Sequence, residues 1–254
     1  MRSVFVFAVV FTSVLFGCGS DSAPSSSTTD GGPAGNGPSG AGEEGGESGG
    51  TGGGTGSYTG KTESGIATYY NADGSGNCSF DPSPDDLDVA AMDAPEYANS
   101  DVCGECVAVT GPKGSVTVRI VDQCPECEAG HLDLSESAFE KIADKSAGRV
   151  PIAWNVVECN VSGNLTYHYK DGTSQYWTAV QVRNSRLPIS SLEIQSGGTF
   201  TKVDRQSYNY FVDAKGAGAG PVTVRVTSID GQQLIDTLPA PSPDSSAPGG
   251  AQFK

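Results

Sequence analysis

The sequence predicts a mainly β chain with two folded domains, and three observations carry that prediction. Short runs rich in β-branched and aromatic residues alternate with Gly, Pro, Asn, Asp and Ser turns between residues 61 and 238. Six of the seven cysteines lie between Cys78 and Cys159, so the first half is suited to crosslinking and the second is not. Both ends differ in composition from this middle.

The N-terminal end reads as an export signal. Residues 1–18 carry Arg2 and an apolar run from Val4 to Phe16, too short to span a bilayer and placed as a signal-peptide core should be. Leu15-Phe16-Gly17-Cys18 resembles a bacterial lipobox, in which Cys18 becomes the lipidated first residue; ordinary cleavage near Gly17 is the alternative. Residues 19–60 are Gly, Ser, Pro and Thr with almost no apolar side chains, which cannot bury enough surface to offset chain entropy. They read as a disordered tether with a mean reach of roughly 35 Å. Residues 239–254, beginning Pro239-Ala-Pro-Ser-Pro, read as a disordered tail.

The pairs Cys103-Gly-Glu-Cys106 and Cys124-Pro-Glu-Cys127, 17 residues apart, have the spacing of a four-cysteine zinc ribbon. Compartment decides otherwise. Behind an export signal the thiols meet an oxidising environment, and six cysteines divide into three disulfides. The spacing leaves all pairings open.

Residues 61–160 form the first domain. Strands are expected over Gly65–Tyr70, Cys106–Thr110, Ser115–Val121 and Ile152–Val157. One helix is expected after Ser135, which can cap it, with Ser137 and Glu140 as a capping box, Leu134, Ala138, Phe139 and Ile142 as its apolar stripe, and Gly148 past its end. Asp133 then sits just ahead of a helix N-terminus, whose field favours the ionised carboxylate unless burial opposes it. Asp122 and Asp133 lie on either side of the Cys124–Cys127 turn. Two carboxylates on a crosslinked scaffold suit polysaccharide chemistry or polysaccharide gripping.

Taken together, Thr68-Tyr69, Cys103-Gly-Glu-Cys106, Val121-Asp122-Gln-Cys124-Pro, His131-Leu132-Asp133-Leu134-Ser135, Trp154-Asn-Val-Val-Glu-Cys159 and Gln181-Val-Arg-Asn184 resemble the bacterial expansins, in order and over nearly all of residues 65–238. The resemblance implies a six-stranded double-psi β-barrel followed by an immunoglobulin-like β-sandwich that acts as a carbohydrate-binding module. It implies cell-wall loosening and cellulose binding without hydrolysis. By the same resemblance Asp133 matches the counterpart of a hydrolase general acid, Asp122 a second aspartate needed for loosening, and Thr68 and Tyr70 the hydroxyl residues of the groove. It also implies the pairing Cys78–Cys103, Cys106–Cys159 and Cys124–Cys127.

An inverting glycosidase needs a second carboxylate as base, roughly 6.5–9.5 Å from the acid. Where related hydrolases hold that base this chain has Asn71, which cannot accept a proton at neutral pH, although Asp73 and Asp81 are close in sequence. Non-hydrolytic loosening is therefore the expectation, with glycoside hydrolysis or lytic transglycosylation by Asp133 as the alternative.

Residues 161–238 form the second domain. Seven strands are expected, over Leu165–Lys170, Trp177–Arg183, Leu192–Gln195, Phe200–Val203, Tyr208–Asp213, Val222–Thr227 and Gln233–Leu238, as fits a β-sandwich. By the same resemblance to bacterial expansins, Tyr176, Trp177 and Tyr208 match an aromatic platform for glucan chains, with Lys170 beside it. In a regular strand Tyr176 and Trp177 would point to opposite faces, so both reach a ligand only through a turn or bulge at 172–176. Tyr167, Tyr169, Tyr210 and Phe211 read as sandwich core and edge, and His131 and His168 as structural or solvent-facing. A formal net charge of −15 argues against nucleic acid and anionic polymers but does not oppose neutral cellulose. The expected partners are cellulose and other plant cell-wall glucans, met outside the cell by a monomer that touches membrane only through Cys18. Neither a cofactor nor a metal is expected.

Overall fold

Fourteen strands and two short helices build the part of the protein that the structure, a computed structural model, describes: residues 60–254. The expected signal peptide with Cys18 and the expected tether lie outside the described residues, except for Gly60, whose N–H donates to the Val156 carbonyl at 2.7 Å.

The first six strands are β1 (Glu63–Tyr70), β2 (Val89–Asp93), β3 (Cys106–Thr110), β4 (Ser115–Cys124), β5 (His131–Ser135) and β6 (Val150–Val157). They close a barrel in the order β1-β5-β2-β4-β3-β6, with β1 pairing β6 to complete the ring. Two pairings are parallel, β1 with β5 and β2 with β4. Inside, Ala67, Ala90, Met92, Val107, Val118, Ile120, Leu132, Leu134 and Trp154 fill the centre.

Helix α1 (Ala94–Tyr97) is capped by Asp93, and α2 (Glu136–Ile142) by Ser135, whose Oγ accepts the Ala138 N–H at 3.1 Å. The helix after Ser135 is thus present but short. It ends at Ile142, Leu134 belongs to β5 rather than to its stripe, and Ala138, Phe139 and Ile142 pack on the barrel.

The second half comprises β7 (Thr166–Tyr169), β8 (Thr178–Arg183), β9 (Ile189–Ser196), β10 (Thr199–Arg205), β11 (Phe211–Asp213), β12 (Val222–Ser228), β13 (Gln233–Leu238) and β14 (Ser245–Pro248). They run β13-β12-β9-β10-β11-β8-β7-β14, with β10 bonded both to β9 and to β11. The two ends of this ribbon face each other across one core, where Tyr167, Tyr169, Val180 and Phe211 meet Leu192, Val203, Val224 and Val226.

The reading of residues 239–254 as a disordered tail is corrected. β14 pairs antiparallel with β7, the Leu165 N–H donates to the Ala251 carbonyl at 3.0 Å, and Phe253 is buried in the sandwich core. Main-chain pairing does not depend on apolar side chains, and one phenylalanine supplies the anchor that the composition concealed.

Barrel and sandwich belong to one compact unit. Polar groups knit the junction. Gln181 Nε2 donates to the Cys78 carbonyl at 2.8 Å, and Arg183 pairs with Asp81 at 2.6 Å. Arg205 donates to the Ser100 and Asp101 carbonyls at 3.1 and 2.8 Å, while the Ser100 hydroxyl donates to the Gln206 carbonyl at 2.8 Å. Disulfides join Cys78 to Cys103, Cys106 to Cys159 and Cys124 to Cys127, the pairing that the resemblance implies.

Candidate functional site

Strand register places the polar residues of the barrel in one row. Thr68 on β1 is registered with Asp133 on β5, Asp133 with Ala91 on β2, and Ala91 with Asp122 on β4. Registered neighbours project from the same face, and the interleaved Ala67, Ala90 and Leu132 point into the core, so the row lies outside the barrel. A bulge sets this up: Ala90 pairs with Ile120 but Ala91 with Asp122, which leaves Val121 buried and turns Asp122 outward. With strands about 4.8 Å apart, the Cα atoms of the two aspartates stand roughly 9–10 Å from each other.

Thr68 Oγ1 donates to Asp133 Oδ1 at 2.5 Å and lies 2.9 Å from His131 Nε2. Burial raises the Asp133 carboxyl above the usual carboxylate range, opposed by the Thr68 bond and by His131 and reinforced by Glu126 and Asp122. Asp133 stands in β5, two residues ahead of the helix cap, and burial outweighs the helix field that the sequence suggested. Gly65 makes room for this strand. A Cβ there would lie 1.7 Å from the Gly130 carbonyl oxygen, which also accepts the Trp154 indole N–H at 3.1 Å.

Asp122 is held by main chain. Its Oδ1 accepts the N–H groups of Asn77 at 2.6 Å and Gln123 at 2.8 Å. Gly76 permits the approach, since a Cβ would fall 2.4 Å from Asp122 Cγ. Tyr70, two residues along β1 from Thr68, packs against Ala91 and the Cys124–Cys127 bridge. Its hydroxyl is enclosed without a partner. Burial and then Asp122, Asp133 and Asp73 push the phenol above its ordinary range, so it stays a neutral donor.

Thr68, His131 and Asp133 share a pocket of about 270 Å³ with Arg149, Glu126, Glu128 and the Cys124–Cys127 bridge. His131 was read from the sequence as a structural or solvent-facing imidazole; the structure places it in this pocket. The available signal was its position two residues before Asp133, which in a strand means the same face. The carboxylates near Asn71 have partners of their own. Asp73 accepts the Ser75 hydroxyl at 2.6 Å and its N–H at 2.9 Å, bonds that hold it below the usual range, and Asp81 is the partner of Arg183. A larger cleft of about 640 Å³ between barrel and sandwich is lined by Phe80, Arg119 and Arg183 and contains none of these groove residues.

On the sandwich, Ser174 and Trp177 form an antiparallel bridge, so Gln175 and Tyr176 occupy a tight turn ahead of β8. Tyr176 therefore escapes strand alternation and is 76% exposed, while Trp177 and Tyr208 are partly exposed. The Tyr208 ring lies 6.0 Å from that of Tyr210, which is buried and carries Lys170 Nζ 5.7 Å from its centroid. Lys170 thus sits over Tyr210, the neighbour of the Tyr208 ring. Tyr167, Tyr169 and Phe211 are core, as read from the sequence.

Comparison with known proteins agrees with this architecture. A family model described as lytic transglycolase matches residues 62–154, the barrel. Expansin-YoaJ of Bacillus subtilis (strain 168) is 36% identical over 74% of this chain and 85% of its own length. Expansin-like protein 5 of Dictyostelium discoideum is 32% identical over 74% of this chain and 83% of its own. The crystal structure of the apo expansin of Clavibacter michiganensis superposes with a TM-score of 0.71 at 34% identity, covering 76% of this chain and 98% of that one. A point mutant of the same Clavibacter protein, solved in complex with cellohexaose, matches with the same TM-score at 35% identity. With the barrel, the sandwich and two thirds or more of its length aligned to such relatives, the chain belongs to the expansin family.

Proposed function

We propose that this expansin binds cellulose through Tyr176, Trp177 and Tyr208, with Lys170 nearby, and loosens plant cell-wall glucan networks at the barrel row without cutting them. The observation that carries the non-hydrolytic part is the fate of the carboxylates near Asn71. Asp73 accepts both Ser75 donors, bonds that lower its proton affinity, and Asp81 faces Arg183 at the domain junction, which supports the reading that neither activates a water opposite Asp133. Thr68, Tyr70, Asp122 and Asp133 instead offer donors and acceptors that compete for the hydrogen bonds between glucan chains. The cellohexaose complex of the related Clavibacter expansin supports a glucan as ligand. The protein acts outside the cell, exported by residues 1–18, anchored through Cys18 and active as a monomer without a cofactor.

A second reading is a glycosidase or lytic transglycosylase with Asp133 as general acid. Its support is the lytic transglycolase match over the barrel and the raised proton affinity of Asp133. One experiment separates the two: wall creep or paper weakening measured together with sugar and anhydromuropeptide release on cellulose, xylan and peptidoglycan. Weakening without release supports loosening; release that scales with weakening and disappears in Asp133→Asn supports the enzyme.

A further inference from the structure

We propose that Asn77 is a positioning residue that fixes the Asp122 carboxylate of the barrel relative to the aromatic rings of the sandwich; the inference rests on the loosening function proposed above. Its main chain and side chain serve different halves of the molecule. The Asn77 N–H donates to Asp122 Oδ1 at 2.6 Å. Its Nδ2 donates to the Tyr97 hydroxyl at 3.0 Å and to the carbonyl of Ser207, the neighbour of Tyr208, at 3.2 Å. Tyr97 closes the triangle by donating its hydroxyl to the same Ser207 carbonyl at 2.9 Å.

The segment around Asn77 has little freedom to absorb a displacement. On one side Gly76 lies against Asp122 with no space for a side chain. On the other, Cys78 is crosslinked to Cys103, and its carbonyl accepts both Gln181 and Asn209 of the sandwich. A shift of the 207–208 segment reaches the N–H that holds Asp122 most directly through the Asn77 amide, alongside the ties at Tyr97 and Cys78. A glucan lying on Tyr208 and reaching the barrel row meets a fixed spacing between the rings and the carboxylate. Neither half needs Asn77 to make its own contacts, but their register does.

The test uses the full chain with Asn77→Ala, and Asp122→Asn in parallel. Asn77→Ala keeps the N–H on Asp122 and removes the tie to Ser207. Cellulose adsorption should stay within about twofold of wild type while creep falls about fivefold or more, the scale of one lost hydrogen bond. Cellotriose binding provides a readout that a purely structural role would not move. In the wild type its binding to the rings should shift the amide resonance of residue 77, and in Asn77→Ala the same affinity should leave that resonance still. If Asn77→Ala fails to fold, Asn77→Leu keeps the side-chain volume and the main-chain N–H while removing the donor to Ser207, and the same split between adsorption and creep is expected. Wild-type creep in the variants while Asp122→Asn is inactive, or adsorption lost in step with creep, overturns the role of Asn77. Full creep in Asp122→Asn overturns the loosening reading instead, and the amide response then decides the coupling by itself.

Discussion

Asp81 of the barrel and Arg183 of the sandwich meet at 2.6 Å across the junction, one carboxylate oxygen on one guanidinium nitrogen. The pair gives a structural job to a carboxylate that sequence position alone would allow as a catalytic base. Arg183 is fastened further by Gln181 Oε1 and the Ser79 carbonyl, which keep its guanidinium in place beside the exposed Asp81. Asp122 and Asp133 are the two carboxylates of the registered row, each with a different environment: main-chain N–H groups for one, a threonine hydroxyl and burial for the other.

Asp133 should titrate above the ordinary carboxylate value, and Thr68→Val should move it higher still, because the lost hydroxyl bond opposes burial. Carbon-detected NMR of the Asp133 carboxyl follows both. Between the ordinary carboxylate value of about 3.9 and its own midpoint, the folded state keeps a proton that the unfolded state has lost, so this group's contribution to stability falls as pH rises through that window. A midpoint unmoved by Thr68→Val would show that the hydroxyl bond does not matter in solution. Asp133→Asn should abolish loosening with adsorption intact.

Tyr176→Ala should weaken cellulose adsorption by about 1–3 kcal/mol with the melting temperature unchanged, since the ring is 76% exposed on a turn. Trp177→Ala should weaken adsorption similarly but also lose some stability, because that ring is partly covered. Adsorption isotherms and thermal melts of the two variants are sufficient, and unchanged adsorption in both would remove these rings from the binding surface.

Glu105 is enclosed near Arg205, and burial lifts its carboxyl from 4.5 to about 8, against the pull of that guanidinium. The sign follows from the raised value. Folding favours the protonated form, so stability is retained below pH 4.5 and is lost as pH climbs towards 8. Glu105→Gln should stabilise the protein by on the order of 3 kcal/mol at pH 7 and by almost nothing at pH 4. Urea unfolding of both proteins across this range would show the difference growing with pH; a constant difference would mean that Glu105 is ionised in the fold.

Phe253→Ala should destabilise the sandwich by about 3–5 kcal/mol, the usual loss for a buried phenylalanine. Truncation after Leu238 should do more, because it also removes the four-residue β14 ladder on β7. A truncated chain with wild-type urea resistance would return this segment to the status of a tail.

Strands with alternating β-branched residues, such as β3 and β4, were legible in the sequence because one side of each faces a core and the other does not. β2 and β5 were not. Val89-Ala-Ala-Met-Asp93 is buried throughout, which erases alternation, and His131–Ser135 reads as the approach to a helix although Leu132 and Leu134 point into the barrel. In the site, Asp122, Asp133 and Thr68 were visible through the family resemblance, but their row depends on a bulge that local sequence does not announce. Contacts made by main chain over long separations, such as the Asn77 N–H on Asp122, leave no side-chain signature at all. The same applies to the turn that frees Tyr176, which the sequence places within 172–176 without locating its tip.

Arg205 limits how freely these halves can be recombined. Its guanidinium leaves β10, donates through Nη2 to the Ile189 carbonyl of the sandwich itself and through Nη1 to the Ser100 and Asp101 carbonyls, with Nε enclosed and unpartnered. Grafted onto a foreign barrel, the sandwich would carry a largely desolvated cation towards a surface with no oxygens waiting for it. A working chimera would have to import the 97–101 corner along with the sandwich, so inheritance and engineering alike should treat that corner as part of the second half, although the chain order assigns it to the first.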